Sequence, residues 1–296
     1  MFSQPAFWAR MTPASRGIAL FLTAAFVFSI MDTLAKILTA SYPPLQVTWA
    51  RYLGQVVWTM LLLAPWLSGM LRTRYPWLQA LRSVLLFGAT FMFYSAVSTL
   101  RFAEATAIFE VAPLLMTVLA VLILKEQVGP RRWIGVSVGL IGALIIIRPG
   151  TDVFSFNALY PVAAAVSFAG YAIATRFLGS DESPWTSFVY TAVFGALAAS
   201  LMVPAIWEPL SPDDLPLLAF IGLVGGIGQL LLILALRAAP PSVIAPFGYV
   251  ALLYNGAWGY GLFNEIPDIW TFAGSGLIVG SGLYVWHRER QVRTQP

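Results

Sequence analysis

Asp32, Arg51 and Glu110 are the residues of this 296-residue chain best placed to do chemistry, because each interrupts a long apolar stretch. A charge surrounded by hydrocarbon is costly, so such residues face a wet cavity or a charged partner. Asp32 stands about fifteen residues into the first apolar stretch, Arg51 about five into the second and Glu110 about six into the fourth. Successive stretches run antiparallel. At about 1.5 Å per helical residue, all three then fall in one layer roughly 7–10 Å below one surface. Lys36 lies one turn above Asp32 on the same helix face. Arg51 together with Glu110 or Asp32 can hold the carboxylate and the ammonium of a zwitterion. The same charges can instead brace three helices as an ion-pair network, and both readings stay open at this level.

A second group consists of polar atoms that need partners once buried: Tyr94, Tyr171, Gln229, Tyr249, Asn255 and Trp258. Each reads either as cavity lining or as a helix–helix hydrogen bond. With the three charges they form the expected substrate-binding set, a pocket with apolar walls and few polar groups. Pro113 and Pro246 interrupt helical stretches and are expected to act as hinges or as fixed kinks. Glu126 and Glu265 stand at the ends of stretches, where capping and loop bonding are expected. The chain has no cysteine, and its single histidine, His287, lies at the end of the last stretch. That leaves no thiolate chemistry and no serine–histidine or cysteine–histidine dyad inside the stretches. No motif for phosphate cradling or nucleotide hydrolysis is visible. No catalytic residue, metal or cofactor is expected, and the chain does not read as an enzyme.

The elements that hold these residues follow from composition. Hydrophobic residues make up 59% of the chain and charged residues only 10%, against about 25% charged in a soluble domain. Mean hydropathy is +0.78. So few charges cannot clothe a water-facing surface, which excludes soluble enzymes and nucleic-acid readers and leaves lipid as the solvent. A bilayer needs about 20 apolar residues per helix, and ten such runs stand between breakers such as SYPP at 41–44, GP at 129–130 and APP at 239–241. An uncleaved first helix is expected rather than a signal peptide, since its apolar run continues to Leu38 without a cleavage site. Basic residues divide thirteen to four between the two sides, with Arg82 among the thirteen and Arg51 among the four. Positive loops stay inside, so both termini are expected to be cytoplasmic.

The chain also repeats. Glu126 and Gly135 recur as Glu265 and Gly274, Pro65 recurs as Pro204, each 139 residues on, and Lys36 recurs as Arg176 after 140. Five helices per half is an odd number, so the second half must be inverted, an arrangement that places a substrate site between the halves. The expected fold is an all-α integral membrane protein of ten transmembrane helices in two inverted five-helix repeats around a central cavity. The segments are 1–16 (cytoplasmic), 17–148 (first repeat), 149–156 (linker), 157–287 (second repeat) and 288–296 (cytoplasmic tail).

In PPLQVTWARY at 43–52, FAEATAIFEVAPLL at 102–115 and the paired Glu/Gly markers, the chain resembles the drug/metabolite transporter superfamily, EamA type, over about residues 17–287. Its aromatic-rich helices resemble most the YddG-like amino-acid exporters. That resemblance implies alternating access and export of small metabolites, neutral or aromatic amino acids foremost, across a bacterial inner membrane. The expected partners are a small-molecule substrate and the bilayer, not nucleic acid, and the expected state is a monomer. The alternatives are a multidrug or organic-cation proton antiporter and a non-transporting scaffold. The sequence departs from its own repeat at Leu252, which stands where Pro113 stands in the first half, so the two halves are expected to bend differently.

Overall fold

A computed structural model describes residues 11–70, 72–125, 129–148, 155–179, 182–244 and 247–293. Among these lie ten helical spans: α1 (Pro13–Leu38), α2 (Pro44–Leu63), α3 (Pro76–Thr99), α4 (Phe102–Phe109 and Ala112–Leu124), α5 (Pro130–Ile147), α6 (Leu159–Leu178), α7 (Pro184–Met202), α8 (Leu215–Ala238), α9 (Pro241–Ile244 and Val250–Phe263) and α10 (Ile269–Arg293). Six of these spans open on proline. At a first helical position proline loses no hydrogen bond and its φ is already helical. Two ends differ from the sequence reading. α1 starts at Pro13 because Thr12 Oγ1 accepts from the Ser15 amide at 3.2 Å and caps it. α10 runs on to Arg293 because HRERQVR contains helix formers and no breaker. The segment expected to be a cytoplasmic tail is therefore largely helix.

The principal helix contacts recur when each span is exchanged for the one five places later. α1 lies along α8 and α6 along α3; α2 packs on α8 and α7 on α3; α5 meets α10 and α2 meets α7. The pieces of α4 and α9 follow the same rule, each first piece packing against the other's second piece. The local markers agree. Pro65 and Pro204 both sit in 3-10 turns that close the second span of their half. Lys125 and Asn264, 139 residues apart, both end their helices in the left-handed region, at φ 55° and 53°. Lys36 Nζ donates to the Val97 and Leu100 carbonyls at the end of α3, and Arg176 donates to the Leu236 and Arg237 carbonyls at the end of α8. Each cation thus satisfies carbonyls that a helix C-terminus leaves open. Glu126, the remaining marker, lies outside the described residues.

Both halves break their fourth helix at matching places despite the Pro113/Leu252 difference. α4 stops at Phe109 and resumes at Ala112; α9 stops at Ile244 and resumes at Val250. In α9 the described residues 247–249 lie outside the α-helix. Pro246 lies outside the described residues.

Lipid exposure inverts the usual amphipathic pattern. In α2 the buried stripe is polar, Thr48, Arg51, Gln55 and Thr59, while Val57, Met60, Leu61 and Leu62 are exposed. Trp77, Trp133 and Trp270 are exposed near the span ends, as an interfacial belt requires. Lipid tails are as apolar as leucine, so helices associate through close packing rather than through the hydrophobic effect. Two crossings depend on glycine for this. A Cβ on Gly222 would lie 2.5 Å from the Gly54 Cα where α8 meets α2, and a Cβ on Gly274 would lie 2.5 Å from the Gly142 carbonyl where α10 meets α5. A Cβ on Gly276 or Gly280 would meet nothing within 4 Å among the described residues.

Candidate functional site

A cavity of about 130 Å³ lies among α1, α2, α3, α4, α6, α8 and α9. Helical periodicity selects its walls. Phe21, Ala25, Phe28 and Asp32 lie at four-, three- and four-residue intervals on one face of α1, and Leu86, Thr90 and Phe93 do the same on α3. Phe93, Phe109 and Phe168 pack with their rings tilted about 60° and 58° to one another and centroids 5.1 and 5.6 Å apart, and Tyr171 extends the series at 6.2 Å.

The three charges do reach this one cavity. Arg51 is 1% exposed, its guanidinium 4.2 Å from the Tyr52 ring centroid and its Nε 3.3 Å from the Met31 sulfur. Its Nη1 has no hydrogen-bond partner. Asp32 interacts with the Asn255 side chain and feels the charge of Arg51. Asn255 in turn donates to Thr106 Oγ1 at 3.1 Å and leaves its Oδ1 unpaired. Glu110 is 3% exposed and stands where α4 breaks; its carboxyl group makes no hydrogen bond or ion pair among the described residues and lies within electrostatic reach of Tyr249. Tyr94 Oη is likewise unpartnered. The direct ion-pair network that the sequence allowed is therefore not present among the described residues. Buried polar atoms left unmade cost about 1–3 kcal/mol each, more when charged. Here they converge on one space lined otherwise by carbon.

Four of the expected binding residues lie elsewhere. Tyr171 is fully buried and points away from the cavity, its hydroxyl accepting from Arg82 Nη2 at 3.0 Å. Gln229 is buried off the cavity with neither amide atom paired. Tyr249 belongs to a core cluster with Ala107, Ile108 and Val111. Trp258 stands behind the wall and donates to Ser29 Oγ at 3.1 Å. A helix with lipid on one side and protein on the other looks apolar all round, so spacing alone did not tell these faces apart. Pro113 does line the cavity, two residues into the second piece of α4.

The sequence reading missed Arg82. It is fully buried, not a loop charge, and donates to Thr175 Oγ1, Gln79 Oε1, the Ser187 carbonyl, Thr191 Oγ1 and Tyr171 Oη. One guanidinium thereby joins α3 to α6 and α7. Its position six residues after Pro76, well inside a helix, was the available signal. Setting Arg82 and Arg51 aside leaves the loop-charge bias in the same direction.

Polar contacts close both ends. At the end where α1 finishes, Lys36 pairs with Glu265 at 3.0 Å, Glu265 caps the Phe102 amide at 2.6 Å, and Arg148 pairs with Asp268 at 2.6 Å. The structural role expected for Glu265 is thus what its contacts provide. Burial works to raise the Asp268 carboxyl, but Thr271 and Arg148 outweigh it and hold the group below the usual range. At the opposite end Glu182 accepts from Thr73 and from the Arg74 amide, and its carbonyl accepts from Arg237.

The sequence profile of the EamA-like transporter family matches residues 15–148 and again residues 156–286. The chain belongs to the EamA-like transporter family. It is a secondary transporter of small metabolites and a multi-pass integral membrane protein, not an enzyme. Relatives of this EamA-like transporter carry different cargoes. It is 27% identical to an S-adenosylmethionine uptake transporter of Rickettsia prowazekii (strain Madrid E) over 275 residues, 93% of this chain and 94% of that one. It is 27% identical to a riboflavin transporter of Rhizobium johnstonii over 92% of this chain and 91% of the other. It is 28% identical to the pseudopaline exporter CntI of Pseudomonas aeruginosa over 89% and 93%. A solved crystal structure shares the fold, with a TM-score of 0.66 at 22% identity over 95% of this chain and 99% of that one.

Proposed function

We propose that this transporter exports amino acids with apolar or aromatic side chains across a bacterial inner membrane, by alternating access and as a monomer of the YddG type. The observation that carries this reading is Arg51, a buried guanidinium whose Nη1 has no hydrogen-bond partner among the described residues, in one cavity with Asp32 and Asn255 whose walls are mainly apolar. Arg51 takes the substrate carboxylate and Asp32 its ammonium, while Phe28, Phe93, Phe109 and Phe168 surround the side chain. Apolar pockets separate neighbouring side chains by only about 1–3 kcal/mol, so the selectivity is modest. Of the relatives' cargoes, S-adenosylmethionine carries such a head group, which agrees with this assignment.

The test is flux of labelled phenylalanine and methionine in liposomes containing the purified protein, against a flat cationic dye. Saturable flux of the amino acids is expected. Movement of the dye with none of the amino acids would replace this reading with the organic-cation antiporter.

The orientation has its own test. Positive loops put the start of α1 in the cytoplasm. Gly129 is exposed with open space around its Cα, and Asp213 is exposed at the other end. Single cysteines at these two positions, in a chain without native cysteine, should react with a membrane-impermeant maleimide only from inside and only from outside, respectively. The reverse labelling refutes the orientation, and labelling of both from one side refutes the topology.

A further inference from the structure

A guanidinium meets a carboxylate through a flat fork, so its plane must be aimed as well as present. The arginine stem rotates about several bonds and does not aim itself. Three contacts constrain it here. On α1 the Met31 sulfur accepts from Arg51 Nε at 3.3 Å. On α8 the backbone passes so close that a Cβ on Gly225 would lie 3.2 Å from both Cγ and Nε of Arg51. The third contact is the ring of Tyr52, the next residue of α2, whose centroid lies 4.2 Å from the guanidinium carbon.

That ring is itself held. Tyr52 is fully buried. Thr90 gives its hydroxyl proton to the Leu86 carbonyl at 2.9 Å, so the Tyr52 hydroxyl is the donor in its 3.2 Å contact with Thr90 Oγ1. On α7, Gly195 makes room for the ring. A Cβ there would stand 2.4, 2.5 and 2.6 Å from three ring carbons, so any larger residue would displace it. α7 thereby bears on Arg51 through Tyr52 without touching the cavity wall itself.

We propose that Tyr52, seated against Gly195, is a positioning residue that sets the plane of the Arg51 guanidinium and so sets the preference of the cavity for substrates with a free carboxylate. This inference rests on the assignment of the substrate carboxylate to Arg51 and deepens it.

Phenylalaninol carries a hydroxymethyl group where phenylalanine has its carboxylate, so the pair isolates that contact. Each is added unlabelled as a competitor of labelled phenylalanine flux in liposomes. The ratio of their half-inhibitory concentrations does not depend on how much protein is active, so a loss of stability alone leaves it unmoved. In the wild-type protein phenylalanine should compete at a concentration at least ~30-fold lower, the lower end of what a buried charge pair provides. Tyr52→Leu should shrink that ratio by roughly 3- to 30-fold, the range a cation–π contact spans. Tyr52→Phe keeps the ring and its seat on α7 and should retain most of it. Should Tyr52→Leu fail to fold, Gly195→Ala disturbs the same ring from α7 and should shrink the same ratio. A ratio unchanged in Tyr52→Leu or in Gly195→Ala, or lost as fully in Tyr52→Phe as in Tyr52→Leu, would overturn the inference and leave the amino-acid reading intact. Equal competition by the two compounds in the wild-type protein would overturn the carboxylate site and this inference together.

Discussion

Arg51→Ala should lower phenylalanine flux in liposomes by roughly 30- to 5000-fold, the equivalent of the 2–5 kcal/mol typical of truncating one partner of a buried charge pair. Two losses combine in this variant. The substrate carboxylate has no cationic partner, and the Asp32 carboxyl is left buried in the membrane without the guanidinium beside it. Removing the second problem should recover stability without recovering transport. Arg51→Ala/Asp32→Asn should therefore melt higher in detergent than Arg51→Ala while remaining inactive. Arg51→Lys keeps a cation but loses the planar fork and the stacking on Tyr52, so its flux should lie between wild type and alanine. Wild-type flux in Arg51→Ala would remove the basis for a carboxylate site here.

The second large effect concerns stability. Arg82→Ala should lower stability by about 3–5 kcal/mol, since several buried acceptors lose a charged donor at about 1–3 kcal/mol each, and lower Tm in detergent by on the order of 10 °C. The guanidinium reaches five acceptors on three helices, and all five are neutral oxygens. Its cationic π contact with Tyr171, at 4.9 Å, adds to this. Truncation strands the Gln79 amide oxygen and leaves the Ser187 carbonyl with the Thr191 hydroxyl in place of two side-chain donors, and the packing of α3 on α6 and α7 loosens. Arg82→Lys offers three donors in place of five and should fall part-way. A Tm unchanged in Arg82→Ala would mean that the network supports nothing.

These two arginines mark where one-dimensional reading ends. Both were visible as charges close to helix starts marked by proline. Arg51 was assigned to the cavity because Asp32 and Glu110 fell in the same layer by residue count, and the structure does bring the three together. Arg82 had no such companion, since its partners are threonines, a serine carbonyl, a glutamine and a tyrosine, which look ordinary in sequence. Tyr171 shows the same limit from the other side. It was expected in the cavity, yet its hydroxyl is committed to Arg82.

What the sequence by itself determined was the solvent, the number of spans and the repeat. Hydropathy and breakers are local properties, and both persist however the helices pack. The two-fold exchange of helix contacts agrees with the 139-residue markers, because each marker sits at a span end, where position along the chain alone decides its place. Only the tertiary structure decided which face of each span turns inward. In water that choice is written as an apolar stripe. In lipid both faces are apolar, and the choice is made by close packing at glycines such as Gly54 and Gly222 and by the few polar groups that must find one another. That is why the commitment of Tyr171 to Arg82 rather than to the cavity could not be read from spacing: only the rotation of α6 about its axis decides which neighbour the hydroxyl meets.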